Sequence, residues 1–137
     1  MTYAEFFQQA FQRSRAGSQA PYAYQCRLAG GPQAAAHGAF SHGTSCQSQL
    51  INIPTGLGKT AGVVLAWLWN RVCQPDTSAR SRWPRRLVYC LPMRTLVEQT
   101  EGDVRKWLGD LLWNGQHADR PGKVGVFALW HVNRNRR

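Results

Sequence analysis

Apolar and polar positions fall into blocks that read, from the N-terminus, as helix, strand, helix, strand, helix, strand. Residues 1–20 predict an amphipathic helix with Phe7, Ala10 and Phe11 on one face. Gln49 to Ile53 is a short apolar strand, and Thr60 to near Val72 a helix whose first part, Ala61 to Trp69, is apolar all round. That part is too short to cross a bilayer, so it is expected to lie buried on a sheet. Leu87 to Leu91 reads as a second strand. From Arg94 to Leu112, Val97, Val104, Trp107, Leu108 and Leu111 recur at helical spacing, with Glu98, Asp103, Arg105 and Lys106 on the opposite, solvent-facing side. Lys123 to Leu129 is a third strand. Residues 29–48, rich in Gly, Ala and Ser, and residues 74–83, with Pro and Ser, read as loops. Alternation of this kind predicts an α/β fold: a parallel sheet with right-handed crossovers and flanking helices.

The sharpest chemical signal lies between the first strand and the helix that follows it. Pro54-Thr55-Gly56-Leu57-Gly58-Lys59-Thr60 has the order of a phosphate-binding loop: strand, glycine-bearing turn, Lys-Thr, helix. Glycines let backbone N–H groups turn onto phosphate oxygens without a Cβ in the way, and the helix N-terminus offers its positive end to the same anion. Lys59 is expected to reach the outer phosphates of a nucleotide, and the Thr60 hydroxyl to ligate Mg²⁺. One departure is visible: the first glycine of the general pattern falls at position 53, which is Ile.

The flanking residues narrow the class. Pro21-Tyr22-Ala23-Tyr24-Gln25 stands upstream, with Phe6, Phe7 and Phe11 before it, and Pro92, Arg94, Leu96 and Gln99 follow the second strand with P-x-R-x-L-x-x-Q spacing. In these features the chain resembles the superfamily 2 (DEAD-like) helicases. The Tyr-Gln segment looks like their Q motif, Pro54 to Thr60 like motif I, where the missing first glycine is tolerated, and Pro92 to Gln99 like motif Ia. Residues 52–69 and 86–99 look most like the helicase–nuclease of type I CRISPR systems, in the variant whose helicase part comes first. The likeness spans residues 3–129, with sharp motifs in a small part of it. The resemblance implies an incomplete RecA-like P-loop NTPase domain. It also implies ATP and Mg²⁺ as cofactors, single-stranded DNA and a CRISPR effector complex as partners, and a cytoplasmic location. By resemblance, Thr55, Gly56, Gly58, Lys59 and Thr60 would bind the nucleotide. Gln25 would hydrogen-bond adenine with Tyr22 or Tyr24 packed nearby, and Arg94 and Thr95 would contact a nucleic-acid phosphate, carrying no sequence information. A surface glutamine in a Pro-Tyr turn and an ordinary helix-entry arginine are the plain alternatives for Gln25 and Arg94.

Some of the expected chemistry has no residues to carry it. Hydrolysis in this class needs two carboxylates at the end of a strand, one on Mg²⁺ and one orienting water. The seven acids (Glu5, Asp76, Glu98, Glu101, Asp103, Asp110 and Asp119) include no adjacent pair, and none follows an apolar strand. Ser-Ala-Thr, an arginine-finger helix, a second motor domain and the nuclease's adjacent His-Asp pair are also missing. The expected organisation is an N-terminal helix with the Q-motif-like segment over 1–30, a flexible loop over 31–48, a partial ATP-binding domain over 49–129, and a basic tail over 130–137. A frameshift or premature stop near Leu129 would explain that tail; an authentic basic tail competes with it. A sheet lacking its later strands would leave apolar edges unpaired, so marginal stability or self-association is expected.

Composition adds less. The net charge of +10 suggests contact with polyanions, yet seven of the 17 basic residues sit in two loop or tail segments (Arg80, Arg82, Arg85, Arg86, then Arg134, Arg136, Arg137). The four cysteines lack C-x-x-C spacing, and Cys73 and Cys90 read as buried thiols. His37, His42 and Cys46 have neither the spacing nor the fourth ligand of a zinc site. Residues 1–20 hold no secretory signal, and no membrane association is expected. Three functional readings stay open: an ATP-binding segment of a helicase, a small basic nucleic-acid-binding module without ATPase activity, and another small phosphate-loop enzyme such as a kinase. The last lacks a visible acidic residue and lid.

Overall fold

The computed structural model describes residues 2–11, 19–30, 45–46, 48–74 and 76–113. Within them the chain forms five α-helices: α1 (Tyr3–Ala10), α2 (Ala23–Gly30), α3 (Lys59–Leu68), α4 (Thr77–Ser81) and α5 (Arg94–Trp113). A π-helical turn, Trp69–Cys73, continues α3.

Helix α1 begins with a reciprocal cap. The Thr2 hydroxyl accepts the Glu5 N–H at 3.1 Å, and the Glu5 carboxylate accepts the Thr2 N–H at 2.7 Å. Its buried residues, Tyr3, Phe6, Phe7 and Ala10, follow the three- and four-residue steps of one helix face. Helix α2 starts where the Tyr22 carbonyl accepts the N–H groups of Gln25 and Cys26 at 2.9 and 3.1 Å. Helix α4 is one short turn, capped by the Asp76 carboxylate on the Ser78 N–H at 2.8 Å. It occupies ground where composition alone predicts loop.

Helix α3 is the axis of the packing. Ala61, Val64, Leu65 and Leu68 are buried, and α2 lies along it. At its C-terminal end the Asn70 amide donates to the Ala66 carbonyl at 2.9 Å and to the Ala29 carbonyl at 2.6 Å. This links α3 to α2 where the helix widens into its π turn. Side-chain insertion of this kind is a common companion of such irregularities. An aromatic chain then runs from the π turn through α1 to α5. The Trp69 ring lies 5.9 Å from Tyr3 and 5.3 Å from Phe6, Phe7 lies 5.1 Å from Phe11, and Phe11 lies 5.6 Å from Trp107. Each such buried ring contributes about 1.5–3 kcal/mol by removal from water. On α5 Trp107, Leu108 and Leu111 are buried while Glu98, Arg105 and Lys106 are exposed, matching the face predicted from spacing.

The expected parallel sheet is not found. Among the described residues there is no β-strand, so the α/β, RecA-like reading is corrected to a helical one. Gln49 to Ile53 and Leu87 to Leu91 are irregular, with Leu50 96% and Val88 79% exposed. Apolar alternation gives a segment the capacity to be a strand, but a strand exists only when a neighbour takes up its N–H and C=O groups. Here the backbone bond from the Cys46 N–H to the Arg82 carbonyl, 3.4 Å, joins two loops without starting a ladder. The outer face of α3, which a sheet was expected to cover, meets these loops instead. Val63, Ala66 and Trp67 line an apolar groove of about 200 Å³ with Trp83, Pro84 and Leu87, and the Trp67 indole N–H donates to the Pro84 carbonyl at 2.8 Å. The third expected strand, Lys123 to Leu129, the basic tail, His37 and His42 lie outside the described residues. Among the described residues no helix is long and apolar enough to cross a membrane.

Candidate nucleotide-binding site

The loop 54–60 is built on two left-handed glycines and held from below by α2. Gly56 has φ +87° and Gly58 φ +68°, conformations that a side chain strains. Gly58 immediately precedes α3, and its carbonyl accepts the first helical N–H, that of Gly62, at 2.9 Å. The same carbonyl accepts the Gln25 side-chain amide at 2.9 Å, and the Leu57 carbonyl accepts the Tyr24 hydroxyl. Two consecutive carbonyls of the loop are therefore engaged by consecutive residues of α2. In a trans peptide the C=O and the following N–H point in opposite directions. With the Leu57 and Gly58 carbonyls drawn to α2 and into the helix, the N–H groups of Gly58 and Lys59 are turned the other way. No side chain caps the N-terminus of α3 at Gly58. Outward N–H groups and the positive helix end together form a cradle suited to an anion.

Gln25 is almost fully enclosed, at 1% exposure. Its amide oxygen accepts the Tyr22 N–H at 2.8 Å, so both ends of the side chain are engaged within the chain. Its Cγ also lies 3.1 Å from where a Cβ on Gly62 would be, so Gly62 lets α2 approach α3 closely. Tyr22, exposed, lies parallel to Tyr24 with ring centroids 6.2 Å apart. Burial pushes the Tyr24 hydroxyl above its ordinary value; hydrogen bonding with Gln25 opposes the shift, and nearby Tyr22 and Tyr89 add to it.

The reactive groups of the motif are close at hand. The Lys59 ammonium donates to the Ile53 carbonyl at 2.6 Å and to the Pro54 carbonyl at 3.0 Å, folding back across the loop's first residues. A phosphate oxygen would replace these neutral acceptors with a charged one, a stronger partner for the same N–H groups. The Thr60 hydroxyl lies 3.3 Å from the Tyr89 hydroxyl. Thr55 is exposed at the rim beside Gly56. For Mg²⁺ the site offers the Thr60 hydroxyl, Oγ1, as a hard oxygen donor. Among the described residues no group of three or more His, Cys, Asp or Glu could hold a metal by itself. That fits an ion whose remaining ligands are phosphates and water.

The structure thus gathers Gln25, Tyr24, Gly56, Gly58, Lys59 and Thr60 around one loop, with Tyr22 beside Tyr24. It places Arg94 and Thr95 at the exposed start of α5, where the Arg94 guanidinium meets the Glu98 carboxylate at 2.8 Å. Sequence reasoning did not single out Tyr89. It sits in the expected second strand, and no spacing rule connects it with a threonine 29 residues earlier. No family model, curated protein or solved structure matches the chain.

Proposed function

We propose that the chain binds the phosphates of ATP with Mg²⁺ at loop 54–60. In this reading it is the ATP-binding segment of an ATP-dependent DNA helicase or translocase of the type I CRISPR class, acting in the cytoplasm. The observation that carries the nucleotide reading is the pair of bonds from Tyr24 and Gln25 to the Leu57 and Gly58 carbonyls. They hold the loop with its N–H groups outward, beside an ammonium and a hydroxyl at a helix N-terminus. Lys59 would supply charge to the phosphates and Thr60 an oxygen to Mg²⁺, an ion that would help neutralise the phosphate charge. Gln25 acts on the loop, and Tyr22 offers the exposed ring against which a base can stack. The helicase reading rests on the order of the motif residues from Tyr22 to Gln99. It does not draw on a sheet, and it includes no hydrolysis, since the sequence holds no adjacent acids.

The test is calorimetric titration of the full chain with Mg-ATP. Lys59→Ala is expected to weaken binding about tenfold or more, the worth of a lost charge-assisted hydrogen bond. Absence of binding, or binding indifferent to Lys59→Ala, would overturn the reading.

One observation favours a second reading, a basic nucleic-acid-binding module without ATPase activity. Arg82, Arg85 and Arg86 are exposed, and the sequence carries no acid between Asp76 and Glu98. It expects single-stranded DNA affinity that falls steeply with salt and is untouched by Lys59→Ala.

A further inference from the structure

The Thr60 hydroxyl has one hydrogen and two lone pairs, and it can offer a lone pair to a cation cleanly only if its hydrogen is directed elsewhere. A threonine in the first turns of a helix ordinarily sends that hydrogen to the carbonyl three or four residues back. Here the Thr60 hydroxyl bonds neither Leu57, whose carbonyl accepts the Tyr24 hydroxyl, nor Gly56. What lies beside Thr60 Oγ1 is the phenol oxygen of Tyr89, at 3.3 Å, with geometry in which either hydroxyl can donate. Tyr89 is half-buried and comes from the segment 86–91, otherwise remote from the loop in sequence.

We propose that Tyr89 is the positioning residue of the cation site: it accepts the Thr60 hydrogen, turning the Thr60 lone pairs toward the Mg²⁺ that accompanies the nucleotide. The inference rests on the nucleotide reading above and adds a residue that the phosphate-loop pattern does not contain. In the nucleotide reading Thr60 is the motif's oxygen for this ion, so its orientation affects how much Mg²⁺ strengthens binding. Of the two arrangements open to the hydroxyl pair, a cation at Thr60 selects the one in which Thr60 donates.

The experiment compares ATP binding by the full chain in magnesium and in EDTA, for the wild type, Tyr89→Phe, Thr60→Val and the double variant. Wild type is expected to bind more tightly with magnesium. Tyr89→Phe should cut that magnesium-dependent gain by about three- to tenfold, the worth of one hydrogen bond, and leave the affinity in EDTA unchanged. In the Thr60→Val background Tyr89→Phe should change nothing further, which a merely structural role would not produce. Tyr89→His, which retains an acceptor, should restore part of the gain if Tyr89→Phe disturbs packing. An unaltered magnesium gain in Tyr89→Phe, or equal losses with and without magnesium, overturns this inference alone, provided Lys59→Ala weakens binding. No ATP binding by the wild type, or binding indifferent to Lys59→Ala, overturns it together with the nucleotide reading.

Discussion

The Gln25 side-chain amide lies 2.9 Å from the Gly58 carbonyl, a bond across 33 positions of sequence that fastens α2 to the turn opening α3. Nothing in the local pattern of either segment announces it. Its consequence is that the shape of loop 54–60 depends on a helix well upstream of it.

Replacing Gln25 by Ala should therefore loosen the loop as well as lower stability. The Tyr22 N–H loses its side-chain acceptor and the Gly58 carbonyl keeps only the Gly62 N–H, so each lost bond is worth about 0.5–1.5 kcal/mol. Chemical denaturation should show that drop. Hydrogen exchange should quicken at residues 56–62 relative to α5, and ATP affinity should fall with it.

Gly58→Ala and Gly56→Ala should separate two effects. Both positions are left-handed, which costs alanine about 1–2 kcal/mol. A Cβ on Gly56 meets nothing within 4 Å, whereas one on Gly58 would stand 3.0 Å from Gln25 Nε2 and crowd it at the carbonyl it bonds. Denaturation midpoints should rank wild type above Gly56→Ala above Gly58→Ala. Equal losses would mean that the Gln25 contact contributes nothing.

Tyr3→Phe should stabilise the protein. The Tyr3 hydroxyl is buried and, among the described residues, has no hydrogen-bond partner. Deleting it keeps the contacts with Phe6, Phe7 and Trp69 and removes a desolvation cost of about 1–3 kcal/mol. A thermal midpoint raised by a few degrees is the expected reading.

Alkaline pH should weaken the fold. Burial raises the hydroxyls of both Tyr3 and Tyr24 above their ordinary value of 10.0. Once the pH exceeds that value the unfolded chain releases these protons while the native chain still holds them, so unfolding is favoured increasingly. Stability is fully present below pH 10.0 and is lost progressively above it, toward the raised native values. Denaturation midpoints across this range, with tyrosinate absorbance on the native protein, check the sign. In Tyr3→Phe the slope should be shallower.

The phosphate-loop pattern was legible in the sequence because its requirements are local: glycines where the backbone turns left-handed, then Lys-Thr opening an apolar helix. Helix α5 was legible for a similar reason, since five apolar residues at helical spacing mark a face without reference to any partner. The expected strands misled because a short apolar run at Gln49 to Ile53 and at Leu87 to Leu91 states only that pairing is possible. Helix α2 was hidden by Pro21 and two tyrosines, which read as a turn, and only α3 gives its Gln25, Cys26 and Ala29 something to be buried against.

What the sequence determined by itself was therefore the pattern carried by neighbouring residues: a glycine-bearing loop with Lys-Thr opening an apolar helix, a helix with one apolar face, and the lack of an adjacent acidic pair. The tertiary structure decided what depends on distant groups meeting. It joined Gln25 to Gly58, Tyr24 to Leu57 and Tyr89 to Thr60, and among the described residues it gave the two expected strands no ladder. Hydrogen bonds between side chains and carbonyls tens of residues apart have no period and no spacing, so they become visible only when the chain is folded.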